Sequence, residues 1–326
     1  MTGGERLVEA VPNVSEGRRP EVVDEIVAAF AGAGLEVLVL DRSSDPDHNR
    51  TVLTLAGPGP ALVEAAVAGA AACARLIDLT AHRGVHPRMG ALDVLPFVPL
   101  GEATRLSGAA DPDLDCAALA ARAGRRIAAE AAVPVYLYGA AARRPERAAL
   151  PAVRGRGFEA LRDAPDRTPD FGGPGLHPTA GATAVGAREV LIAYNVELAG
   201  GDLDLARRIA AAVRERGGGL PAVRAMGVAL PARGLVQVSM NLLDYKVTPP
   251  AVVFAAVAGL AERAGAGVEA SEIVGLVPAA ALTGTDPATL RLRGFTPELL
   301  LERRLDLALH TVAGAGTAPR TTEETR

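Results

Sequence analysis

Residues 223–242, VRAMGVALPARGLVQVSMNL, hold two short apolar runs separated by Pro-Ala-Arg-Gly, and they predict two consecutive strands. Outward from this pair, the sequence predicts a helix and then a strand on each side. These flanking elements are helices at residues 203–216 and 250–263 and strands at residues 189–198 and 268–274. The resulting order, strand-helix-strand-strand-helix-strand, predicts a split-βαβ, ferredoxin-like domain for the second half of the chain.

The first half of the chain also mixes strands and helices. Predicted strands cover residues 7–14, 36–41, 50–56, 92–100 and 133–138, and predicted helices cover residues 20–30, 60–76 and 114–132. We therefore predict an α/β (α+β) protein with two subdomains, each a mixed sheet with helices on its outer face.

A stretch rich in Pro, Gly, Asp and Arg, residues 154–181, separates the two halves. Such composition is typical of a linker or a binding loop, and we place the subdomain boundary at its end. The N-terminal subdomain is thus predicted over residues 1–181 and the ferredoxin-like subdomain over residues 182–312. The polar residues 313–326 are predicted to form a disordered tail.

Composition narrows the classes of partner. The 326 residues are 49% hydrophobic and 22% charged, which is ordinary globular usage. Without Trp, and with 3% aromatic residues, the chain has few platforms for base stacking, so we expect no nucleic acid partner. The formal net charge of −4 gives no general basic field, so local arginines must hold any anionic ligand.

The N-terminus, the apolar runs and the cysteines together predict the cellular compartment of the protein. The start of the chain lacks the basic and long apolar regions of a signal peptide, and the longest apolar run is too short to cross a bilayer. Cys73 and Cys116 are widely spaced, which fits free thiols in a reducing compartment. We therefore predict a cytoplasmic protein without a membrane partner.

Residues 81–90, AHRGVHPRMG, are the densest concentration of chemistry-bearing side chains. Two imidazoles and two guanidiniums share one turn-rich segment, which allows protons and anions to be handled in one place. His82 and His86 also have the i, i+4 spacing of zinc ligands on a helix, with His48 or Asp45 as a third ligand. Gly84 and Pro87 disfavour that helix, and HExxH is absent, so we expect no metal.

Two other segments could carry function. Residues 42–50, RSSDPDHNR, could orient an imidazole through their carboxylates, although Asx residues and Pro also simply form turns. Residues 170–181 are glycine-rich without the spacing of a nucleotide loop. No P-loop, dinucleotide fingerprint or GxSxG is present in the sequence, which leaves NAD, ATP and covalent catalysis without support.

Seven motifs in order along nearly the whole chain resemble one family. They are VPNVSEG at 11–17, NRTV at 49–52, HPRMGALDV at 86–94, VPVYLYG at 133–139, PDFG at 169–172, QVSMNLLD at 237–244 and VGLVP at 274–278. Each is weak alone, but the ordered set is specific. The chain resembles the formiminotransferase domain of glutamate formiminotransferases, which in animals is fused to a cyclodeaminase.

The resemblance implies transfer of the formimino group of N-formimino-L-glutamate to N5 of tetrahydrofolate, in histidine degradation and one-carbon metabolism. It also implies two α/β subdomains around a folate cleft and a homodimer. Because the similarity ends with the transferase part of the family, no cyclodeaminase activity is expected. By motif position, the family's catalytic histidine corresponds to His86, with His82 beside it, and the folate-binding stretch to residues 172–181.

Two positions depart from the family's pattern. Ser43 stands where the animal enzymes have an assisting aspartate, so Asp45, Asp47 or His48 would have to take that role. Ala180 stands where those enzymes have a Trp near the end of the folate stretch.

Residues and resemblance together predict a set of site residues. The predicted catalytic residues are His86, as acid and base, with Asp45 and His48. The predicted substrate contacts are Asn13, Asn49, Arg50, His82, Arg83, Arg88 and Asp93, with the arginines gripping carboxylates. The predicted contacts to folate, the co-substrate, are Asp170, Phe171, Gly172, Gly173, His177, Thr179 and Gly181.

Three other functions remain open at this point. The same fold could transfer the formimino group of formiminoglycine. A zinc hydrolase could use His48, His82 and His86 as metal ligands. A folate-binding protein without catalysis is the third.

Overall fold

The computed structural model describes residues 7–32, 36–100, 115–155, 157–162, 167–231 and 233–315, with the backbone alone for 312–315. The first lobe contains strands β1 (Leu7–Ala10), β2 (Asn13–Val14), β3 (Leu38–Asp45), β4 (Arg50–Pro58), β5 (Leu92–Pro99), β6 (Val135–Gly139) and β7 (Thr183–Ala187). Its helices are α1 (Pro20–Ala31), α2 (Gly59–Leu76), α3 (Cys116–Glu130), α4 (Leu150–Arg154) and α5 (Phe158–Arg162). The second lobe contains β8 (Ile192–Ala199), α6 (Leu203–Val213), β9 (Val223–Leu230), β10 (Leu235–Leu242), α7 (Pro250–Arg263), β11 (Gly267–Val274) and α8 (Leu301–Ala315).

The first sheet is itself built on a βαββαβ unit. Strands β3, β4, β1 and β5 lie side by side and pair antiparallel, with α1 and α2 as the two crossovers. β2 continues the line of β1 between β4 and β5. β7 and β6 then extend the sheet in parallel beyond β5, which makes it mixed as predicted.

The second sheet has the strand order β11-β8-β10-β9. All its pairings are antiparallel, so this sheet is not mixed, but the βαββαβ order is the predicted ferredoxin-like one. The α/β class with two subdomains is therefore confirmed, and the plan predicted for the second half also occurs inside the first.

The main helices cover one face of each sheet, and the short helices α4 and α5 pack on the other face of the first sheet beside β6 and β7. Apolar residues of α1, α2 and α3 form the first core with β4 and β5, and α6 and α7 form the second core with β8 and β10. In α6, Leu205, Ile209 and Val213 recur at every fourth residue and are buried, which is the spacing of a core-facing stripe. By length and composition α2 could span a membrane, but 56% of it is buried within the first lobe.

The other faces of the two sheets lie opposite each other. α8 extends from the second lobe to the first sheet, where its Leu301 and Leu305 pack with Leu38 and Leu40 of β3. His48 of the first lobe also contacts Gln237 of the second. These contacts hold the lobes together beside a cleft.

Three predicted boundaries need correction. β7 follows residue 181 but pairs with β5 and β6, so the first lobe extends past the predicted boundary. β3 continues to Asp45 in register with β4, beyond the strand predicted at residues 36–41, which leaves only a short turn between the two strands. The predicted tail begins inside α8, and its residues 316–326 lie outside the described residues.

Candidate active site

The two sheets enclose a cleft of about 640 Å³ to which both lobes contribute. Alternation along a strand assigns the side chains: on β4, Arg50 and Val52 line the cleft, whereas Leu53 belongs to the core. Polar residues of the first lobe that line the cleft include Asn13, Asp45, His48, Arg50, His86 and Arg154. Those of the second lobe include Asn195, Arg224, Ser239, Asn241 and Glu272.

His86 lies on the turn between α2 and β5, and its half-buried ring lines the cleft. A Cβ atom on Gly84 would lie 2.3 Å from the carbonyl oxygen of His48, so glycine allows the close approach of the two turns. Nδ1 of His86 lies 2.7 Å from the carbonyl oxygen of Pro87. Because a carbonyl only accepts, the neutral ring carries its proton on Nδ1, and its Nε2 keeps a lone pair.

Two arginines and a buried carboxylate surround His86. Oδ2 of Asp93, on β5, accepts hydrogen bonds from Arg50 at 2.7 Å and from Arg154 at 2.8 Å. Although burial opposes it, the charges of Arg154 and Arg50 lower the pKa of Asp93 to about 2. Desolvation and the same two guanidiniums hold the pKa of His86 well below its usual range, so the imidazole is neutral at neutral pH.

His48 lies beside His86, with 5.9 Å between the ring centroids. Its backbone N–H donates to Oδ1 of Asp45 at 2.7 Å, which closes the β3–β4 turn. Its Nε2 lies 3.2 Å from the side-chain nitrogen of Gln237 on β10. Burial lowers the pKa of His48, against the opposing charge of Asp45. The structure thus brings the three predicted catalytic residues to the cleft; their roles remain predictions.

His82 and Arg88, both predicted substrate contacts, lie outside the residues that line the cleft. His82 is buried, with Nε2 3.0 Å from the carbonyl oxygen of Asn49 and Nδ1 accepting from Arg88 Nε at 3.0 Å. Arg88 also donates to both carboxylate oxygens of Glu159, at 2.9 and 2.8 Å. These side chains thus have hydrogen-bond partners within the protein, and the prediction that they contact substrate stays a prediction.

Asn49 and Arg83 also connect loops without lining the cleft. The Asn49 side chain accepts from the backbone of Gly17 and donates to the carbonyl of Arg83, each at 3.0 Å. Its φ of 48° is a left-handed turn conformation that Asn tolerates. Of the predicted substrate contacts, Asn13 and Arg50 line the cleft and Asp93 lies buried beneath them.

The predicted folate segment, residues 170–181, contacts other parts of the first lobe and does not line this cleft. Asp170 accepts from the backbone of Leu137 at 2.9 Å and from Arg147 at 2.8 Å, and Phe171 stacks beneath Arg143. Nδ1 of His177 accepts from the backbone N–H of Ala180 at 3.0 Å. Asp170, Phe171, Gly172, Gly173, His177, Thr179 and Gly181 do not line this cleft, and their assignment as folate contacts stays a prediction. Their polar groups instead fix the start of β6 and a turn.

Three arginines of the cleft were not predicted: Arg154, Arg188 and Arg224. The sequence predicts Arg154 at the start of the stretch rich in Pro, Gly, Asp and Arg, because nothing in sequence shows that α4 returns it to Asp93, 61 positions away. Arg224 lies inside a predicted strand, where a single charge in an apolar run is a signal that could have found it. It has no ion pair among the described residues, and burial lowers its pKa.

The residues present do not fit a zinc site. Both ring nitrogens of His82 have partners, and His82 is outside the cleft that holds His48 and His86. Within the described part of the chain, no group of three His, Cys, Asp or Glu residues could hold a metal ion. The triad that a zinc hydrolase would need is therefore not assembled.

Two facing α/β lobes, with a neutral imidazole among guanidiniums between them, define the class: a binder of anionic small molecules equipped for proton transfer. The family model "Formiminotransferase domain, N-terminal subdomain" matches residues 7–188, and "Formiminotransferase domain" matches residues 193–289. The chain belongs to the formiminotransferase domain family, which confirms the resemblance seen in the motifs.

Curated relatives agree with this membership. A glutamate formimidoyltransferase of Thermoplasma acidophilum is 43% identical over 307 residues, covering 93% of this chain and 98% of the relative. One of Streptococcus pyogenes serotype M1 is 40% identical over 293 residues, covering 89% and 95%. A formimidoyltransferase-cyclodeaminase of Sus scrofa is 43% identical over 286 residues, covering 85% of this chain and 51% of that longer protein.

Proposed function

We propose that this protein is a transferase that moves the formimino group of N-formimino-L-glutamate to N5 of tetrahydrofolate. The observation that carries the proposal is the neutral imidazole of His86 in the inter-lobe cleft, with an unprotonated Nε2. Membership of the family supports it, as do two relatives named glutamate formimidoyltransferase that match over almost their whole length.

The reaction requires two proton transfers that one group can perform. N5 of tetrahydrofolate attacks the amidine carbon of the donor, forming a C–N bond and a tetrahedral intermediate. His86 takes the proton from N5 and returns it to the glutamate nitrogen, whose bond to that carbon then breaks. Glutamate and 5-formiminotetrahydrofolate leave, and atoms and charge balance without an oxidant or a metal. A positioned acid and base of this kind typically contributes 10²- to 10⁴-fold in rate.

The cleft supplies the second part of catalysis, which is juxtaposition. A volume of about 640 Å³ is in the range of small-molecule sites, and holding both substrates in it removes part of the entropic cost of a two-substrate step. Arg50, Arg154, Arg188 and Arg224 provide cationic groups for substrate carboxylates. Val52, Val94 and Val274 provide apolar surface for the pterin and its aromatic linker.

Three finer assignments complete the proposal. Tetrahydrofolate is the co-substrate, and no metal takes part. The enzyme works in the cytoplasm, in histidine degradation and one-carbon metabolism. It assembles as a homodimer.

The test is a spectrophotometric assay for 5-formiminotetrahydrofolate with metal-free protein. Formation of this product from formiminoglutamate and tetrahydrofolate is expected without added metal. Preference for formiminoglycine in a donor competition would reassign the donor. Protein that binds tetrahydrofolate but makes no product would be a folate-binding protein, and the proposal would be wrong.

A further inference from the structure

Asp93 holds two guanidiniums with one carboxylate. Arg50 comes from β4 and Arg154 from α4, and both donate to the same oxygen, Oδ2. The other oxygen, Oδ1, accepts the backbone N–H of Met89 at 2.8 Å. Since Asp93 is fully buried and ionised, two positive charges face one negative charge, and one positive charge is left over at the wall of the cleft.

Asp93 holds both guanidiniums in place without occupying all of their N–H donors. Their side chains are 12% and 13% exposed, and both line the cleft. A second guanidinium nitrogen of Arg50 donates a hydrogen bond to Oδ1 of Asn13 at 2.7 Å. Nε of Arg154 is buried and has no hydrogen-bond partner within the described residues.

We infer that Arg50 and Arg154, held side by side by Asp93, form the binding site for one carboxylate of the formimino donor. A carboxylate suits the site because it is planar, carries the missing negative charge and accepts from two guanidiniums at once. The inference rests on the proposed function and deepens it, since it adds Arg154 as a specificity-determining residue.

Binding of a carboxylate between Arg50 and Arg154 changes the pKa of His86. The charged and titratable groups around the ring are Arg50, Arg154, Asp93 and His48, and from the second lobe Glu272 acts on His48. The charges of Arg50 and Arg154 disfavour a proton on His86. A bound carboxylate cancels one positive charge, so the pKa of His86 rises when the donor binds. His86 thus becomes a stronger base in the presence of its substrate.

The probe is glutarate, a dicarboxylate with the carbon chain of glutamate, and glutaramide serves as its uncharged counterpart. Calorimetry is run on wild type, Arg154→Gln, Arg154→Lys and Arg207→Gln, a control on the exposed face of α6. Glutarate is expected to bind wild type and Arg207→Gln equally and Arg154→Gln about 10- to 100-fold more weakly. The affinity of Arg154→Lys for glutarate should lie between these two, because lysine keeps the charge but lacks the planar guanidinium that donates two hydrogen bonds. Glutaramide should not bind detectably.

A titration followed by NMR adds a readout that a purely structural role would not move. The His86 ring signal, identified by its loss in His86→Gln, should titrate at higher pH with glutarate present than without it. In free Arg154→Gln the pKa of His86 should already be raised, and in Arg154→Lys it should stay near wild type. Thermal unfolding of each variant checks that it is folded.

The outcomes separate this inference from the proposed function. The inference is wrong if wild type fails to bind glutarate, if Arg154→Gln binds it as tightly as wild type, or if glutarate leaves the pKa of His86 unchanged. It is equally wrong if the enzyme transfers formimino groups but Arg154→Gln leaves the donor KM unchanged. If glutarate binding depends on Arg154 while no 5-formiminotetrahydrofolate forms, the carboxylate site stands and the proposed function fails.

Discussion

The two lobes share a βαββαβ plan, and each contains a buried carboxylate that holds two arginines. In the first lobe Asp93 holds Arg50 and Arg154. In the second, Glu197 on β8 holds Arg233 and Arg293, and it is as buried as Asp93. The difference is location: Arg50 and Arg154 line the cleft beside His86, whereas Arg233 and Arg293 do not line it.

Neither the βαββαβ plan nor a buried ion cluster by itself defines the chemistry. Both clusters solve the same problem, the burial of a charge, by pairing it. The cluster of the first lobe has a neighbouring imidazole, and its guanidiniums line the cleft between the lobes, whereas Arg233 and Arg293 lie outside that cleft. Function therefore depends on where a cluster faces, as expected for sites carried by widely used folds.

The largest expected effect is on His86. His86→Ala should fold normally but lose about 10²- to 10⁴-fold in kcat, because the acid and base are removed. His82→Ala is the matched comparison from the same turn: it should lower the unfolding temperature while the folded enzyme keeps most of its kcat, since His82 binds Asn49 and Arg88. Steady-state kinetics and thermal unfolding of both variants make the test. Equal kcat losses would remove the distinction between the two histidines.

The second expected effect compares the two ion clusters directly. Asp93→Asn should lower the free energy of unfolding by about 3–5 kcal/mol, because it leaves two largely buried guanidiniums without their carboxylate. Glu197→Gln should lower it by less, because the side chains of Arg233 and Arg293 are 29% and 46% exposed and water can solvate their charges. Denaturant titration measures both losses. At a temperature where both variants are folded, only Asp93→Asn should also change the KM of the donor. A matching KM change in Glu197→Gln would contradict the separation of the clusters.

How much the sequence predicts depends on whether a residue acts through its neighbours in the chain. The second-lobe strands and His86 were predictable because apolar runs and the 81–90 segment are local signals. The strand β7 is not predictable from the sequence, since TAVGA is short and composed of small residues. Gly186 packs directly against Tyr138, which explains why a small residue stands at that position. Arg154 required a contact with Asp93 that only the folded chain reveals.

A related limit of sequence reasoning explains why several predicted substrate and folate contacts do not line the cleft. Composition cannot distinguish a polar group that faces a ligand from one that fixes a loop. Arg88 and Asp170 are conspicuous in sequence, yet each is bound to protein partners, Glu159 and Arg147 respectively. Such long-range pairing is invisible until the loops are placed.

A third prediction concerns a buried carboxylate that lacks such a cluster. Burial raises the pKa of Glu9 to about 7, and the charge of Arg188 opposes this only in part. A raised folded-state pKa means that stability is greatest below about pH 4.5 and falls as the pH rises towards 7. Glu9→Gln should therefore stabilise the protein by up to about 3 kcal/mol near pH 8 and by little near pH 4. Denaturant titration at both values checks this, and a gain independent of pH would contradict it.

The smallest expected effect is on the contact between the lobes. Gln237→Ala removes the hydrogen-bonding neighbour of His48 and should cost about 1 kcal/mol of stability. We expect kcat to fall by less than in His86→Ala, because His48 would lose its orientation but remain in the cleft. Steady-state kinetics of Gln237→Ala and His48→Ala make the test. A larger fall in kcat for Gln237→Ala than for His48→Ala would mean that Gln237 acts on substrate itself.

The most direct measurement of the central claim is the rate of 5-formiminotetrahydrofolate formation by His86→Ala with increasing imidazole at neutral pH. If the ring of His86 carries the proton between the two nitrogens, the slow rate of this variant should rise with imidazole concentration while that of His48→Ala does not. Near wild-type product formation by His86→Ala without imidazole would contradict the account.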